Sequence, residues 1–231
     1  MKNRRKTIRH TKHADYDYNV FINCPFDKDF KELFRAMVFT IHVCGFAAQC
    51  ALEDNNQTNR LQRIMDLIGE CRFGIHDLSR IDIGKMPRNN MPLELGLFMG
   101  CRQFGLAHDQ LKEYLVLDSD PHRYKQHITD LGGEDPSSHD NKPELMIDCV
   151  RNWLRPYAKQ QNGRFIPSTS ILVERYSLFK AEAPAICAEY EIVFSELEFP
   201  EYQPIVVQWL KRGQAKLKAL QDLDKNALQA A

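Results

Sequence analysis

Glu94 lies at a position in the sequence where a carboxylate can act in catalysis. It belongs to the stretch Asn-Met-Pro-Leu-Glu-Leu-Gly (90–96), which starts a predicted helix soon after a strand that ends at Asp77. Ligands of open α/β sheets bind outside the carboxyl ends of the strands, and this part of the chain lies at that edge. A carboxylate there can stabilise an oxocarbenium-like cation or trap it covalently. That chemistry breaks the bond between a ribose and a base.

A structural role for Glu94 is equally compatible with its position. If Met91 is the N-cap and Pro92 the first helical residue, Glu94 is the third, in the first turn. A glutamate at that position reaches back to the N-cap amide and favours the positive end of the helix dipole. Asn90 is the chemically better N-cap. The sequence alone therefore leaves both capping and catalysis open for Glu94.

The elements that must position Glu94 alternate between strand and helix. We predict strands over 18–23 and 46–52, a strand ending at Asp77, and a fourth over 113–117, each followed by polar residues. Apolar residues at helical spacing predict helices over 30–41 and 61–68, and a third that carries Glu94. The order βαβαβαβ predicts an α/β fold with a flavodoxin-like, doubly wound parallel sheet of four to five strands.

The rest of the chain divides into a short tail and a helical extension. Residues 1–15 are expected to be a disordered basic tail, 16–156 the α/β domain, 157–169 a linker and 170–231 a helical C-terminal extension. We predict helices over 123–131 and 144–154, separated by a polar loop over 134–143 without a convincing strand. Prolines at 184, 200 and 204 are expected to interrupt the helices of the extension.

Composition argues against several classes of partner. Residues 1–13 contain six lysines and arginines and no acid, so the remaining chain carries a compensating charge of −6. A body of that sign makes a nucleic-acid partner unlikely. No apolar run is long enough for a membrane span, and the N-terminus lacks a signal-peptide pattern. Seven cysteines without a Cys-x-x-Cys pair indicate reduced thiols in a cytoplasmic protein and no metal site.

Several short motifs resemble those of bacterial TIR-like domains. Tyr-Asp-Tyr-Asn-Val-Phe-Ile-Asn (16–23) followed by Asp-Lys-Asp (27–29) is similar to the opening strand and box of that family. Asp-Leu-Ser (77–79) and the Glu94 helix are similar to the segment that holds its catalytic glutamate. Where the family has Ser-x-Trp-Cys, this chain has Asn-Asn-Met-Pro (89–92).

The TIR resemblance implies an NAD glycohydrolase or ADP-ribose cyclase in which Glu94 is catalytic. NAD would be the substrate, and no separate cofactor would be required. The resemblance further implies a cytoplasmic homo-oligomer, switched on by an activating protein or a signal nucleotide, with anti-phage defence as one setting. No membrane partner is expected.

The same Glu94 stretch also resembles nucleoside 2-deoxyribosyltransferases, in which a glutamate attacks the sugar. That resemblance implies base exchange on a nucleoside or nucleotide. A non-catalytic module that binds a nucleotide or self-assembles is the third alternative. The expected substrate-binding residues are Asn23, Cys24, Phe26, Asp27, Asp77, Ser79, Arg80, Asn89 and Asn90.

Three of these residues have simpler interpretations. Asp77 or Asn90 can hold the ribose, but an aspartate at a strand end equally forms a turn. Arg80, with the amides near Asp27, can bind the pyrophosphate, although pairing with a surface acid is more common. Cys24 is better explained as a buried thiol than as a nucleophile.

Overall fold

A computed structural model describes residues 12–52, 60–80, 90–120, 136–162 and 165–229 of this chain, and within these the side chains of 159–162 and 216–229 lie outside the description. The strands in chain order are β1 (Asn19–Asn23), β2 (Ala47–Gln49), β3 (Phe73–Asp77), β4 (Glu113–Asp118) and β5 (Ser137–Ser138). The α-helices are α1 (Lys31–Val43), α2 (Arg60–Glu70), α3 (Asn90–Phe104), α4 (Pro143–Asn162), α5 (Thr169–Ala188) and α6 (Phe199–Gln229).

The five strands form one parallel sheet in the order β2-β1-β3-β4-β5. Helices α1 and α4 cover one face, and α2 and α3 cover the other. The fold is therefore the flavodoxin-like, doubly wound α/β architecture that the alternation of elements predicts. The order of connection reverses between β1 and β3, which makes their carboxyl ends the switch point of the sheet.

Helices α5 and α6 pack onto α1 and α4 as a further layer. The Phe39 ring of α1 lies 5.1 Å from the Tyr176 ring, 5.3 Å from Phe179 and 5.8 Å from Trp209. Arg35, also on α1, donates from Nη2 to the Phe194 carbonyl at 2.9 Å. The extension thus shares its buried surface with the sheet domain.

Four details of the secondary structure differ from the sequence-based expectation. Strand β2 is shorter than the predicted 46–52 and spans only Ala47–Gln49. Helix α4 continues to Asn162, into the range predicted as linker, because Ala158 is still fully buried against the core. The polar loop 134–143 contains β5, which has no apolar residue to reveal it. Pro184 and Pro204 lie inside helices, where neighbouring buried side chains such as Ala183 and Ile205 hold the helix against the core.

The predicted helix over 123–131 and the first eleven residues of the predicted tail lie outside the described residues. Residues 14–18 form a turn that leads into β1, with the Tyr18 amide donating to the Asp15 carbonyl at 2.9 Å.

Candidate functional site

Side chains at the carboxyl ends of β1 and β3 alternate between the two faces of the sheet. Asn23 is in register with His76, and their side chains lie on the face that α2 and α3 cover. Cys24 and Asp77 follow them in the chain and lie on the α1 and α4 face. The switch point therefore carries two separate groups of polar residues, which we call the α3-side cluster (Asn23, His76 and Glu94) and the α4-side cluster (Cys24, Asp77 and His139).

Asn23 connects the end of β1 to the start of α3. It is 2% exposed, and its Nδ2 donates to the Met91 carbonyl at 2.8 Å. The same nitrogen lies 3.1 Å from Nδ1 of His76, which accepts its second hydrogen. Both hydrogens of the amide are thus used, and this fixes its orientation. No described residue donates to the Asn23 Oδ1.

His76 is a neutral, fully buried histidine. Burial lowers its pKa to about 3. Since Nδ1 accepts from Asn23, the proton of the neutral ring resides on Nε2. Nε2 has no hydrogen-bond partner among the described residues and faces a ring environment, with the Phe98 centroid 5.2 Å from that of His76. His76 is therefore hydrogen-bonded to the described residues at one nitrogen only.

A glycine in β3 makes room for this arrangement. A Cβ added at Gly74 would lie 2.8 Å from Nε2 of His76 and 2.8 Å from the Phe98 ring. The imidazole and the phenyl ring therefore pack directly over the backbone of β3. This close contact helps to hold α3, and with it Glu94, against the sheet.

Glu94 is a buried acid on α3 that forms no ion pair with a described residue. Its residue is 7% exposed, and its carboxylate has no hydrogen bond or ion pair with any described residue. Burial raises its pKa from 4.5 to about 7, against a smaller lowering by Arg60. Both protonation states are consequently populated near neutral pH, as a group that takes and gives protons requires.

The position of the helix start changes the interpretation of Glu94. Helix α3 includes Asn90, so Asn90 is a helical residue and not the N-cap. No acidic residue lies in the first turn of the helix, and the expectation that Glu94 does is wrong. Glu94 is at least the fifth residue of α3, beyond the third position from which a capping-box glutamate acts.

In the α4-side cluster, the Asp77 carboxylate lies close to the His139 ring. Asp77 is fully buried, and its Oδ1 accepts a hydrogen bond from the Ser79 amide at 2.9 Å. Its Oδ2 lies 3.0 Å from Nε2 of His139, although the angle between the groups is not that of a hydrogen bond. The turn-forming interpretation of Asp77 is therefore confirmed, and its side chain is on the opposite face from Glu94.

His139 is a member of the cluster that sequence reasoning missed. It directly follows β5, is fully buried, and its amide donates to the Asp118 carbonyl at 3.1 Å. Its Nδ1 accepts from the Asn141 amide at 3.1 Å. Since β5 is a two-residue strand inside a polar stretch, nothing in the sequence pattern indicated that His139 would reach the end of β3.

Cys24 behaves as a buried thiol. It is 1% exposed, and burial raises its pKa well above the usual range. The charges of Asp77, Glu94 and Asp27 raise that pKa further, which shows that all three acids act on the same end of β1. A thiol in such surroundings does not ionise at neutral pH, and the nucleophile interpretation loses its basis.

The loop between β1 and α1 is occupied by local contacts. Oδ1 of Asp27 accepts from the Phe30 amide at 3.0 Å and caps a 3-10 turn over Lys28–Phe30. Nη2 of Arg80 lies 3.8 Å from Asp27 Oδ1 and 3.9 Å from Asp29 Oδ2. Arg80 thus pairs with surface acids, as its simpler interpretation predicts.

The structure describes three of the four remaining residues that were predicted to bind substrate. Phe26 is 37% exposed, and its ring meets that of Phe34 edge-on at 5.6 Å. Ser79 is buried, and its Oγ has no hydrogen-bond partner among the described residues. Asn90 is exposed at the start of α3, whereas Asn89 lies outside the described residues.

In the described part of the chain, no group of three or more histidine, cysteine or acidic residues could hold a metal ion. Within the same residues no helix combines the length and the apolar character that crossing a membrane requires. None of the seven cysteines forms a disulfide, and five of them are buried.

Comparison with known proteins finds no match to this chain among protein-family models, curated proteins or solved structures. The resemblances of the sequence to TIR-like domains and to deoxyribosyltransferases therefore stay predictions. The case for a function has to be made from the geometry of the α3-side cluster.

Proposed function

We propose that this chain cleaves the N-glycosidic bond between nicotinamide and ribose in NAD, as a TIR-like NAD glycohydrolase or ADP-ribose cyclase. The observation that carries the proposal is Glu94, a residue only 7% exposed near the switch point, whose carboxylate reaches solvent and has no hydrogen bond or ion pair to any described residue. Burying a carboxylate without a partner destabilises a fold. Groups with such a cost are concentrated at functional sites.

The reaction needs little more than this carboxylate. The nicotinamide of NAD is positively charged, so it leaves as a neutral base with the electron pair of the broken bond and needs no acid. The ribose carbon becomes cationic, and ionised Glu94 stabilises that charge or forms a temporary bond to it. In hydrolysis, water then forms the new bond to carbon and gives a proton to the carboxylate. In cyclisation, a nitrogen of the adenine ring takes the place of water.

Asn23 supplies the second group of the proposed site. Its Nδ2 hydrogens are committed to Met91 and His76, so the acceptor Oδ1 is the part of the amide available to a ligand. A ribose hydroxyl is a donor of matching chemistry. This assignment gives Asn23 the ribose-holding role for which Asp77 and Asn90 were the sequence-based candidates.

The proposal also covers the setting in which the chain acts. We assign it to the reducing cytoplasm, with which seven cysteines without a disulfide agree. Activity in a homo-oligomer, under control of an activating protein or signal nucleotide and in anti-phage defence, follows only from the TIR resemblance. Dependence of the rate on protein concentration tests the oligomer directly.

The test is nicotinamide release from NAD by the purified chain over a wide range of protein concentrations. We expect Glu94→Gln to lower the rate on the order of a hundredfold to a thousandfold, the cost of losing one transition-state charge interaction. Glu174→Gln, which changes an exposed carboxylate on α5, is the matched control and should leave the rate unchanged.

Two further measurements distinguish the alternative functions. Adding a competing free base and analysing the products distinguishes base exchange, the deoxyribosyltransferase-like reaction, from hydrolysis. If NAD raises the melting temperature and no nicotinamide is released at any concentration, the chain is a non-catalytic binding module. Full activity of Glu94→Gln at normal stability would refute the role of Glu94.

A further inference from the structure

A cavity of about 160 Å³ lies between the β1–α1 loop and the start of α6. Neither Glu94 nor Asn23 lines it, so it is separate from the α3-side cluster. Its apolar walls come from both the sheet domain and the extension: Pro25, Phe26, Phe34, Leu52, Leu197 and Phe199. We call it the α1–α6 cavity.

The volume of the α1–α6 cavity limits what it can hold. Apolar cavities of about 150 Å³ accept a benzene-sized molecule. A single six-membered ring therefore fits inside it.

Aromatic side chains dominate the wall of the cavity. The ring of Phe34 lies 5.6 Å from that of Phe26 and 5.5 Å from that of Phe199. Phe26 is 37% exposed, which is high for a phenylalanine that already contacts another ring. An aromatic ligand can extend this row of rings with edge-to-face or offset contacts.

Positive charge accompanies the aromatic wall. Arg35 lines the cavity and is only 6% exposed, and its Nε has no hydrogen-bond partner among the described residues. Lys28 and Lys31 also line it, and Lys28 is exposed. Of the two acids in the wall, Asp27 caps the 3-10 turn, and Glu198, whose side chain is 76% exposed, lies 4.0 Å from Lys31 Nζ. A buried guanidinium with an unpaired donor favours a ligand that brings an acceptor.

From the volume, the rings and the cations together, we propose that the α1–α6 cavity binds a monocyclic aromatic carboxylate. The ring lies against Phe26, Phe34 and Phe199, and the carboxylate is held by Lys28 and the α1 cations. This binding site is independent of the proposed reaction at Glu94.

Binding at this cavity would act on the loop that both regions share. Asp27 lines the cavity, caps the turn before α1 and approaches Arg80, which follows β3. A ligand in the cavity therefore contacts the segment that directly continues from Asn23 and Cys24.

The experiment is calorimetric titration of the full chain with sodium benzoate and, separately, with benzamide, which has the same ring without the charge. We expect benzoate to bind about tenfold more tightly, because a charge-assisted contact is the stronger one. Lys28→Gln should weaken benzoate binding about fivefold and leave benzamide binding unchanged. Lys211→Gln, at an exposed lysine of α6 outside the cavity, is the matched control.

Location and independence are tested in the same series. Benzoate should shift the NMR signals of the Phe26 and Phe199 rings, and Glu94→Gln should retain the benzoate affinity of the unmodified chain. Equal affinity for benzoate and benzamide, an equal effect of the two lysine variants, or binding weaker than about 10 mM would overturn the proposal. Loss of benzoate binding in Glu94→Gln would also overturn it, because the ligand would then occupy the α3-side cluster.

Discussion

The α3-side and α4-side clusters lie at the carboxyl edge of the same sheet and differ in the contacts that their buried acids make. On the α4 side, Asp77 has a hydrogen bond at one oxygen and a buried imidazole nitrogen 3.0 Å from the other. On the α3 side, Glu94 has no such contact with a described residue, and burial raises its pKa to about 7. Among the described residues, Asp77 therefore has one hydrogen bond and one close imidazole neighbour, whereas Glu94 has neither.

This difference separates a structural acid from a candidate catalytic one. Removing one member of a buried pair destabilises a fold, because the other member is then left buried without its partner. A buried acid without a partner lowers stability and keeps its proton to a higher pH, which suits acid–base or electrostatic work. Sequence position alone does not make the distinction, because both acids follow the same strand.

The largest effect on stability is expected at Asp77. Replacing it by alanine (Asp77→Ala) removes the acceptor of the Ser79 amide and leaves His139 buried without its acid. We expect a loss of about 4 kcal/mol in the free energy of unfolding, measured by urea denaturation. Glu174→Ala is the exposed control. If Asp77→Ala is as stable as the control and nicotinamide release collapses, Asp77 belongs with Glu94 and the comparison fails.

An opposite change is expected at Glu94. Because its pKa is raised from 4.5 to about 7, the folded chain holds a proton that the unfolded chain releases, and stability falls as pH rises through that interval. Glu94→Gln should then be more stable by about 3 kcal/mol at pH 8 and unchanged at pH 4. Urea denaturation at both pH values checks this. A gain that is the same at pH 4 and pH 8 would show that the carboxylate charge is not its cause.

Packing on the α3 side can be tested at Gly74. The Cβ of Gly74→Ala would lie 2.8 Å from both His76 Nε2 and the Phe98 ring, so we expect a loss of about 2 kcal/mol. Gly96→Ala is the matched control, because no atom lies within 4 Å of its added Cβ, and it should stabilise α3 slightly. Thermal unfolding of both variants measures this difference in stability. Equal behaviour would mean that the two rings do not hold α3 against β3.

The smallest effect is expected at Arg80. Its two ion pairs are long and its side chain is 40% exposed, so Arg80→Gln should cost no more than about 0.5 kcal/mol. The KM for NAD should be unchanged. A rise of about tenfold in KM, the effect of losing a charge-assisted phosphate contact, would add the loop after β3 to the binding site.

Much of the architecture could be predicted because its signals are local. The apolar stripe over 30–41 indicates α1, and short apolar strands between helices indicate a parallel sheet. The turn at Asp77 and the helix cap at Asp27 are likewise formed with residues only two or three positions away in the chain. The strand β5 and His139 could not be predicted, since Ser137 and Ser138 pair with β4 only through their backbones.

The sequence by itself determined the alternation of strands and helices, and with it the sheet edge at which Glu94 and the polar strand ends gather. Only the tertiary structure decided which of these side chains share a face. β1 and β3 are buried on both sides, so no alternation of polar and apolar residues reveals their orientation, and the register of Asn23 with His76 sets it. The burial of Glu94 is decided in the same way, because it depends on how closely α3 packs over Gly74 and not on any local pattern.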